Sequence, residues 1–194
     1  MAEGETGPWL VLGLGNPDRE YGNSRHNLGA RVVVRLAQRL GVALRRAPKQ
    51  RAEVAEVRDG DQRLILARNA SYMNESGGPA ALLLRYYKVP LDRLIVVQDE
   101  IDLAEGKLQV RFDGGTAGHN GIKDVARALG SPDFYRVRLG VGRPPGRQDP
   151  ADYVLEPIPQ RLAEDLAVLV ERGADAVLDL VHLGLARAQD RHNR

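Results

Sequence analysis

The chain has 194 residues, 43% of them hydrophobic and a formal net charge of +2, a size and composition that suit one buried core and a single domain over residues 1–194. It has no cysteine, which excludes a disulfide framework, a thiolate zinc site and a cysteine nucleophile and fits a reducing cytoplasm. No apolar run nears the roughly 20 residues of a membrane helix, and the opening MAEGETGP lacks the basic-then-apolar order of a signal peptide, so a cytoplasmic protein with no membrane partner is expected.

Residues 1–8 read as a flexible leader. Residues 9–14 (WLVLGL) are a short apolar run ending at Gly, the pattern of a buried first strand, and a long loop follows. From Leu28, apolar residues at Val32, Val33, Leu36, Ala37 and Leu40 recur with helical spacing until Gly41 stops them. Residues 52–57 alternate, Asp59-Gly60 turns the chain and residues 63–67 (RLILA) are apolar, which predicts a hairpin. SYMNESGG then leads into a helix over 79–87, ended by Pro90.

Residues 94–97 (LIVV) form the most strand-like run, with QDEID at its C-terminal end, where open α/β sheets place their sites. A further strand is predicted over 107–112, a Gly-rich loop and a helix over 120–129, then a strand over 135–141. Residues 143–150 hold three prolines and read as a loop; 161–183 reads as a long final helix, and 185–194 as a frayed polar tail. The order predicts an α/β domain with a twisted, mixed, partly antiparallel sheet flanked by helices, since strands in sequence without a crossover cannot all be parallel neighbours.

Three Gly-flanked segments hold asparagine beside groups capable of proton chemistry: 13–29 (GLGNPDREYGNSRHNLG), 71–78 (SYMNESGG) and 114–121 (GGTAGHNG). Asparagine offers two donors and an acceptor on a short stem, which suits gripping an amide or a sugar. Residues 1–51 carry nine Lys or Arg against four acids and residues 105–150 eight against five; a positive surface there would attract a polyanion, although charge alone favours a solvated mixed surface because no dense basic block occurs.

Several chemistries fail on inspection. GLGNPD starts like a dinucleotide fingerprint, but Asp18 takes the third glycine position and no helix follows directly. Gly114, Gly115 and Gly118 before a helix could cradle an anion or serve as a turn. His26, His119, Asp99 and Asp102 could converge on a metal, but no metal-ligand spacing such as H-E-x-x-H occurs. No G-x-S-x-G marks a serine nucleophile. What remains is attack by water with His26 as general base and a carboxylate behind it. Alternation puts Asp99 on the opposite side of the strand from Glu100 but does not choose between Asp99 and Asp102.

GLGNP, then Tyr and RHN with a following Gly, then hydrophobic-Met-Asn-x-Ser-Gly, D-E-x-D and G-H-N-G resemble the bacterial peptidyl-tRNA hydrolase family in order and spacing, over residues 12–142. The resemblance implies a monomeric enzyme, without metal or cofactor, that cleaves the ester joining a peptide to the 3′ ribose of tRNA. It implies His26 as base, Asp99 as its carboxylate, and Asn16 as the sensor of the blocked amino group or peptide carbonyl. Asn74 and Asn120 would bind substrate and position water or the oxyanion, Tyr21, Tyr72 and Met73 would line the slot, and His119 would shape the tRNA terminus.

Arg111 and Arg138 resemble the family's phosphate-clamping pair, with Lys107 and Lys123 as neighbours. The chain departs from the family pattern at Gln98, Asp18, Thr116-Ala117 and Tyr72, none of which removes a proton-transfer group. A non-catalytic RNA-binding relative and a small-molecule esterase are the competing readings.

Overall fold

The computed structural model describes residues 7–116 and 118–193. In chain order the elements are β1 (Trp9–Gly13), α1 (Asp18–Tyr21), α2 (Leu28–Arg39), β2 (Arg45–Ala47), β3 (Ala52–Asp59), β4 (Gln62–Asn69) and α3 (Gly77–Tyr87). They continue with β5 (Leu94–Glu100), β6 (Leu108–Phe112), α4 (Asn120–Leu129), β7 (Tyr135–Gly140), α5 (Pro150–Leu155), α6 (Ala163–Leu183) and α7 (Leu185–His192). Among the described residues the strands form one mixed sheet in the order β2-β3-β4-β1-β5-β7-β6.

β1 and β5 are buried along their whole length because they lie centrally and parallel, with helices over both faces. Their continuous apolar runs are what such a position demands. β3 and β4 pair antiparallel across Gly60, whose positive φ fits the tight connection that Asp59-Gly60 foretold. On one face α2 and α6 pack against Val11, Ile95, Val97, Val137 and Leu139; on the other α3 and α4 cover Leu10, Leu12, Ile65 and Val96.

The two glycines that bracket the first motif set the distance between layers. A Cβ on Gly29 would collide with the Val97 carbonyl oxygen, and one on Gly13 with the Gly29 carbonyl oxygen. Glycine at both positions lets the start of α2 rest directly on the ends of β1 and β5, and Ala30 N donates to Leu14 O at 3.0 Å. This close approach carries the residues just before α2 over the edge of the sheet.

Several expectations are corrected. The segment between β1 and α2 is not a plain loop: it holds α1 and a 3-10 turn at Arg25–Asn27, tied by local main-chain bonds. α3 begins at Gly77, two residues before Pro79, because the 3-10 turn at Met73–Glu75 runs into it. β2 is a short, polar edge strand without alternation to betray it. α5 begins where the prolines of 143–150 predict a loop, with Asp149 as N-cap before N1 Pro150; the Asp149 side chain accepts from Ala151 N at 2.9 Å.

The tail is not frayed over its described residues, 185–193. α7 buries Ala188, and Asn193 Oδ1 accepts from Val110 N at 2.6 Å while its Nδ2 donates to Val110 O at 2.9 Å, so the tail satisfies the outer edge of β6. Of the expected flexible leader, residues 1–6 lie outside the described residues; Pro8 is buried and Gly7 O accepts from Arg93 at 2.9 Å, so those two positions are held.

Candidate active site

A cleft of about 300 Å³ opens at the carboxyl ends of β1 and β5. Asn16, Tyr21, His26, Tyr72, Met73, Asn74, Asp99, His119 and Asn120 all line it, so the three motif loops converge. The fourth wall is α5, which supplies Pro150, Ala151, Val154 and Leu155. These apolar residues carry no chemistry-bearing side chain that would have singled them out. α5 reaches the site because Arg25 stacks on the Tyr153 ring at 4.1 Å and Ile158 N donates to Asn23 O at 2.9 Å.

His26 sits in the 3-10 turn before α2 and Asp99 on the α2 face of β5. His26 Nδ1 lies 3.0 and 2.9 Å from the two Asp99 oxygens, and His119 Nε2 lies 2.9 Å from Oδ1. The tautomers follow from the partners. His119 is the N-cap of α4 and its Nδ1 accepts from Ile122 N at 3.3 Å, so its proton is on Nε2 and points at Asp99. His26 donates through Nδ1 to the same carboxylate, which leaves its Nε2 lone pair free.

Asp99 is only 1% exposed. Burial pushes its carboxyl upward, but His26 and His119 outweigh that and hold it well below the usual carboxylate range. Burial likewise draws His26 down, and the Asp99 charge and hydrogen bond reverse this to leave it raised. Asp102, the other acid the sequence left open, turns outward and pairs with Arg143 Nη2 at 2.6 Å.

His26, Asp99 and His119 also form, among the described residues, a group whose ligand atoms lie within 4.8 Å of one another. A metal there would have to displace both N–H protons that the carboxylate now accepts, so the donor set fits a hydrogen-bonded pair of histidines better than a metal centre.

Three hydrogen bonds from two residues hold Asn16. Its Oδ1 accepts from Met73 N at 2.7 Å, its N donates to Asn27 Oδ1 at 2.8 Å, and its carbonyl accepts from Asn27 Nδ2 at 2.8 Å. With the oxygen engaged, the carboxamide offers N–H donors to the cleft. Two further supports come from outside the motifs. Asn69 Oδ1 accepts from Gly15 N at 3.1 Å while Nδ2 donates to Gly15 O at 2.8 Å, and Arg68 clasps Asp18 with bonds of 2.8 and 2.7 Å. Neither residue lies within the motifs, and only the pairing of β4 beside β1 brings them there.

Two further departures have partners: Tyr72 OH donates to Glu20 at 2.7 Å, and Gln98 Nε2 donates to Glu100 at 3.3 Å while its buried Oε1 has none among the described residues; Ala117 lies outside the described residues. Arg111 and Arg138 do not line the cleft. Both lie on the α3–α4 face of the neighbouring β6–β7 pair, Arg138 with its Nη2 2.9 Å from Glu100 and in contact with Gln109. Glu100 thus neutralises Arg138, which is 10% exposed at its side chain.

A mixed sheet whose parallel central strands end at such a cleft defines the class, an α/β enzyme with its site at the carboxyl edge of the sheet. A family model for peptidyl-tRNA hydrolase matches residues 10–194. The chain is 48% identical over 187 residues to a peptidyl-tRNA hydrolase of Frankia casuarinae, covering 96% of this chain and 94% of that one. It is 47% identical over 191 residues to one of Streptomyces avermitilis, with the same two coverages. The crystal structure of peptidyl-tRNA hydrolase from Acinetobacter baumannii superposes with a TM-score of 0.89 at 28% identity, over 96% of this chain and 94% of that one. The chain belongs to the peptidyl-tRNA hydrolase family.

Proposed function

We propose that this protein hydrolyses the ester between a peptide, or an N-blocked aminoacyl group, and the 3′ ribose of tRNA, returning the tRNA to use as a monomeric cytoplasmic enzyme. The observation that carries the reading is His26 on the cleft lining, its Nε2 without a partner among the described residues and its Nδ1 against a buried Asp99. Nε2 takes a proton from water as the water attacks the ester carbonyl, and Asp99 stabilises the imidazolium that results. Such a base contributes about 10²–10⁴ in rate.

The leaving ribose oxygen takes that proton back as the tetrahedral intermediate collapses, so an ester suits this site better than an amide. Asn16 supplies N–H donors to a peptide carbonyl, whose presence marks an N-blocked substrate. Asn74 and Asn120, both on the cleft lining, reach the acyl group or its oxyanion, each donor to a developing oxyanion adding about 10²–10³. Tyr21, Tyr72 and Met73 make the apolar slot. Arg111 and Arg138 engage the tRNA backbone, Arg138 sharing its charge between phosphate and Glu100, so binding weakens with salt and is indifferent to sequence.

The test is cleavage of an N-acetylated aminoacyl-tRNA and of its unblocked counterpart by the wild type and by His26→Ala. The expected result is cleavage of the blocked substrate alone, abolished in the variant. Equal cleavage of both substrates, or activity surviving in the variant, overturns the mechanism; binding without turnover favours the RNA-binding reading, and cleavage of simple esters alone the esterase reading.

A further inference from the structure

Arg136 is 1% exposed, and its acceptors are main-chain carbonyls rather than a carboxylate. Nη1 donates to Gly115 O at 2.6 Å, Nη2 to Pro132 O at 3.1 Å, and the guanidinium lies 4.7 Å from the centre of the Phe134 ring. Among the described residues its Nε is buried without a partner. In the register of the sheet it stands directly opposite Arg111, and alternation puts Arg138 on the same face. Burial, then repulsion from Arg111 and Arg138, pull its pKa down to about 10. A methionine here would avoid the cost of burying a charge beside two like charges.

What the guanidinium holds is the third motif loop. Gly115 follows Gly114, where a Cβ would collide with the Arg111 guanidinium. It precedes Thr116, whose carbonyl accepts from His119 N at 2.8 Å. The loop start is fixed separately by Asp113 N donating to Phe134 O at 3.0 Å. The middle of the loop thus hangs on Arg136, and beyond it come His119, which shares Asp99 with His26, and Asn120.

We infer that Arg136 is a positioning residue for the reaction: through the Gly115 carbonyl it sets the loop that places His119 against Asp99 and Asn120 in the cleft, without touching substrate. The inference rests on the hydrolase reading above. A loop released by an ångström costs about 10²-fold in rate, and it frees Asp99 from His119. With one donor fewer, Asp99 holds the His26 imidazolium more strongly, so the pH at which the base becomes active rises.

The experiment compares the wild type with Arg136→Met and Arg136→Lys on N-acetylated aminoacyl-tRNA, with circular dichroism melting as a check on folding. Expected for Arg136→Met is a kcat about 10²-fold lower with KM within about three-fold, and an acid limb of kcat/KM displaced to higher pH. Arg136→Lys, which can still reach one carbonyl, recovers part of kcat. A lower melting temperature with unchanged kcat and acid limb overturns the inference, as does a rise in KM with kcat retained, which would make Arg136 a direct phosphate ligand. Should Arg136→Met fail to fold, Arg136→Lys alone decides by the same two readouts. An inactive wild type would refute the hydrolase reading instead.

Discussion

Replacing Asp99 by asparagine tests the centre of the site with almost no change in shape. The carboxylate accepts one N–H from His26 and one from His119, whereas a carboxamide has one acceptor oxygen and one donor nitrogen. If the oxygen stays with His119, the new N–H meets His26 Nδ1, and His26 must move its proton to Nε2, the atom that should take one from water. If the oxygen stays with His26, His119 must put its proton on Nδ1 and lose the bond from Ile122 N. Either way the imidazolium loses its counter-charge. At a charge separation of about 4 Å and an effective dielectric near 20 that attraction is about 4 kcal/mol, or about three decades in rate.

Asp99→Asn should therefore lower kcat on N-acetylated aminoacyl-tRNA about 10³-fold and leave KM within about three-fold. The acid limb should move as well. In the wild type Asp99 lifts His26 above its ordinary range, so activity falls as pH drops through that raised value. Without the charge only burial acts, and the residual activity should titrate below about 6.5, the ordinary histidine value. A loss under ten-fold, or an acid limb that stays in place, would refute the assignment of Asp99 as the group behind His26.

Other outcomes follow from the same contacts. The stability advantage of wild type over Asp99→Asn should peak near pH 5–6 in urea melts. The depressed Asp99 contributes above its unfolded value of about 3.9 and is lost as pH falls below it, while the raised His26 contributes below about 6.5 and is lost as pH rises through its folded value; an advantage flat from pH 3 to 9 would count against the pairing. Asn69→Ala strips partners from buried Gly15 N and O and should cost about 3 kcal/mol by urea unfolding, with under about 1 kcal/mol showing that water replaces the side chain. Ending the chain after Gly184 removes the cover from Val110 at the edge of β6, and should lower the melting temperature and promote association on gel filtration; an unchanged monomer would show the edge to be protected otherwise.

Much of the site was legible because its residues lie in short, glycine-punctuated segments whose composition makes sense only as ligand-facing loops, and His26, Asn16, Asn74, His119 and Asn120 could be named from those segments. The strands at the centre of the sheet were equally legible, since continuous apolar runs such as LIVV have few other places to go. The remainder depends on long-range packing. The family resemblance pointed to Asp99 over Asp102, but the physical ground for that choice, that Asp99 faces α2 and His26 while Asp102 pairs with Arg143, lies in the fold, since alternation alone does not settle a strand terminus. Asn69 and Arg68 became supports of the first loop only because β4 pairs beside β1, 54 and 50 residues away from their partners in sequence. Nothing in the sequence marks that Arg138, expected in a phosphate clamp, has Glu100 against it. α5 is a wall of the cleft through the shape of its apolar side chains, and the tail is ordered by an edge strand far from it in sequence. Which side chains can do the chemistry is written in the order of residues, because that is a matter of functional groups and local backbone; which of them meet, and which charges already offset one another, is a matter of distance across the sheet, and the folded chain alone sets that distance.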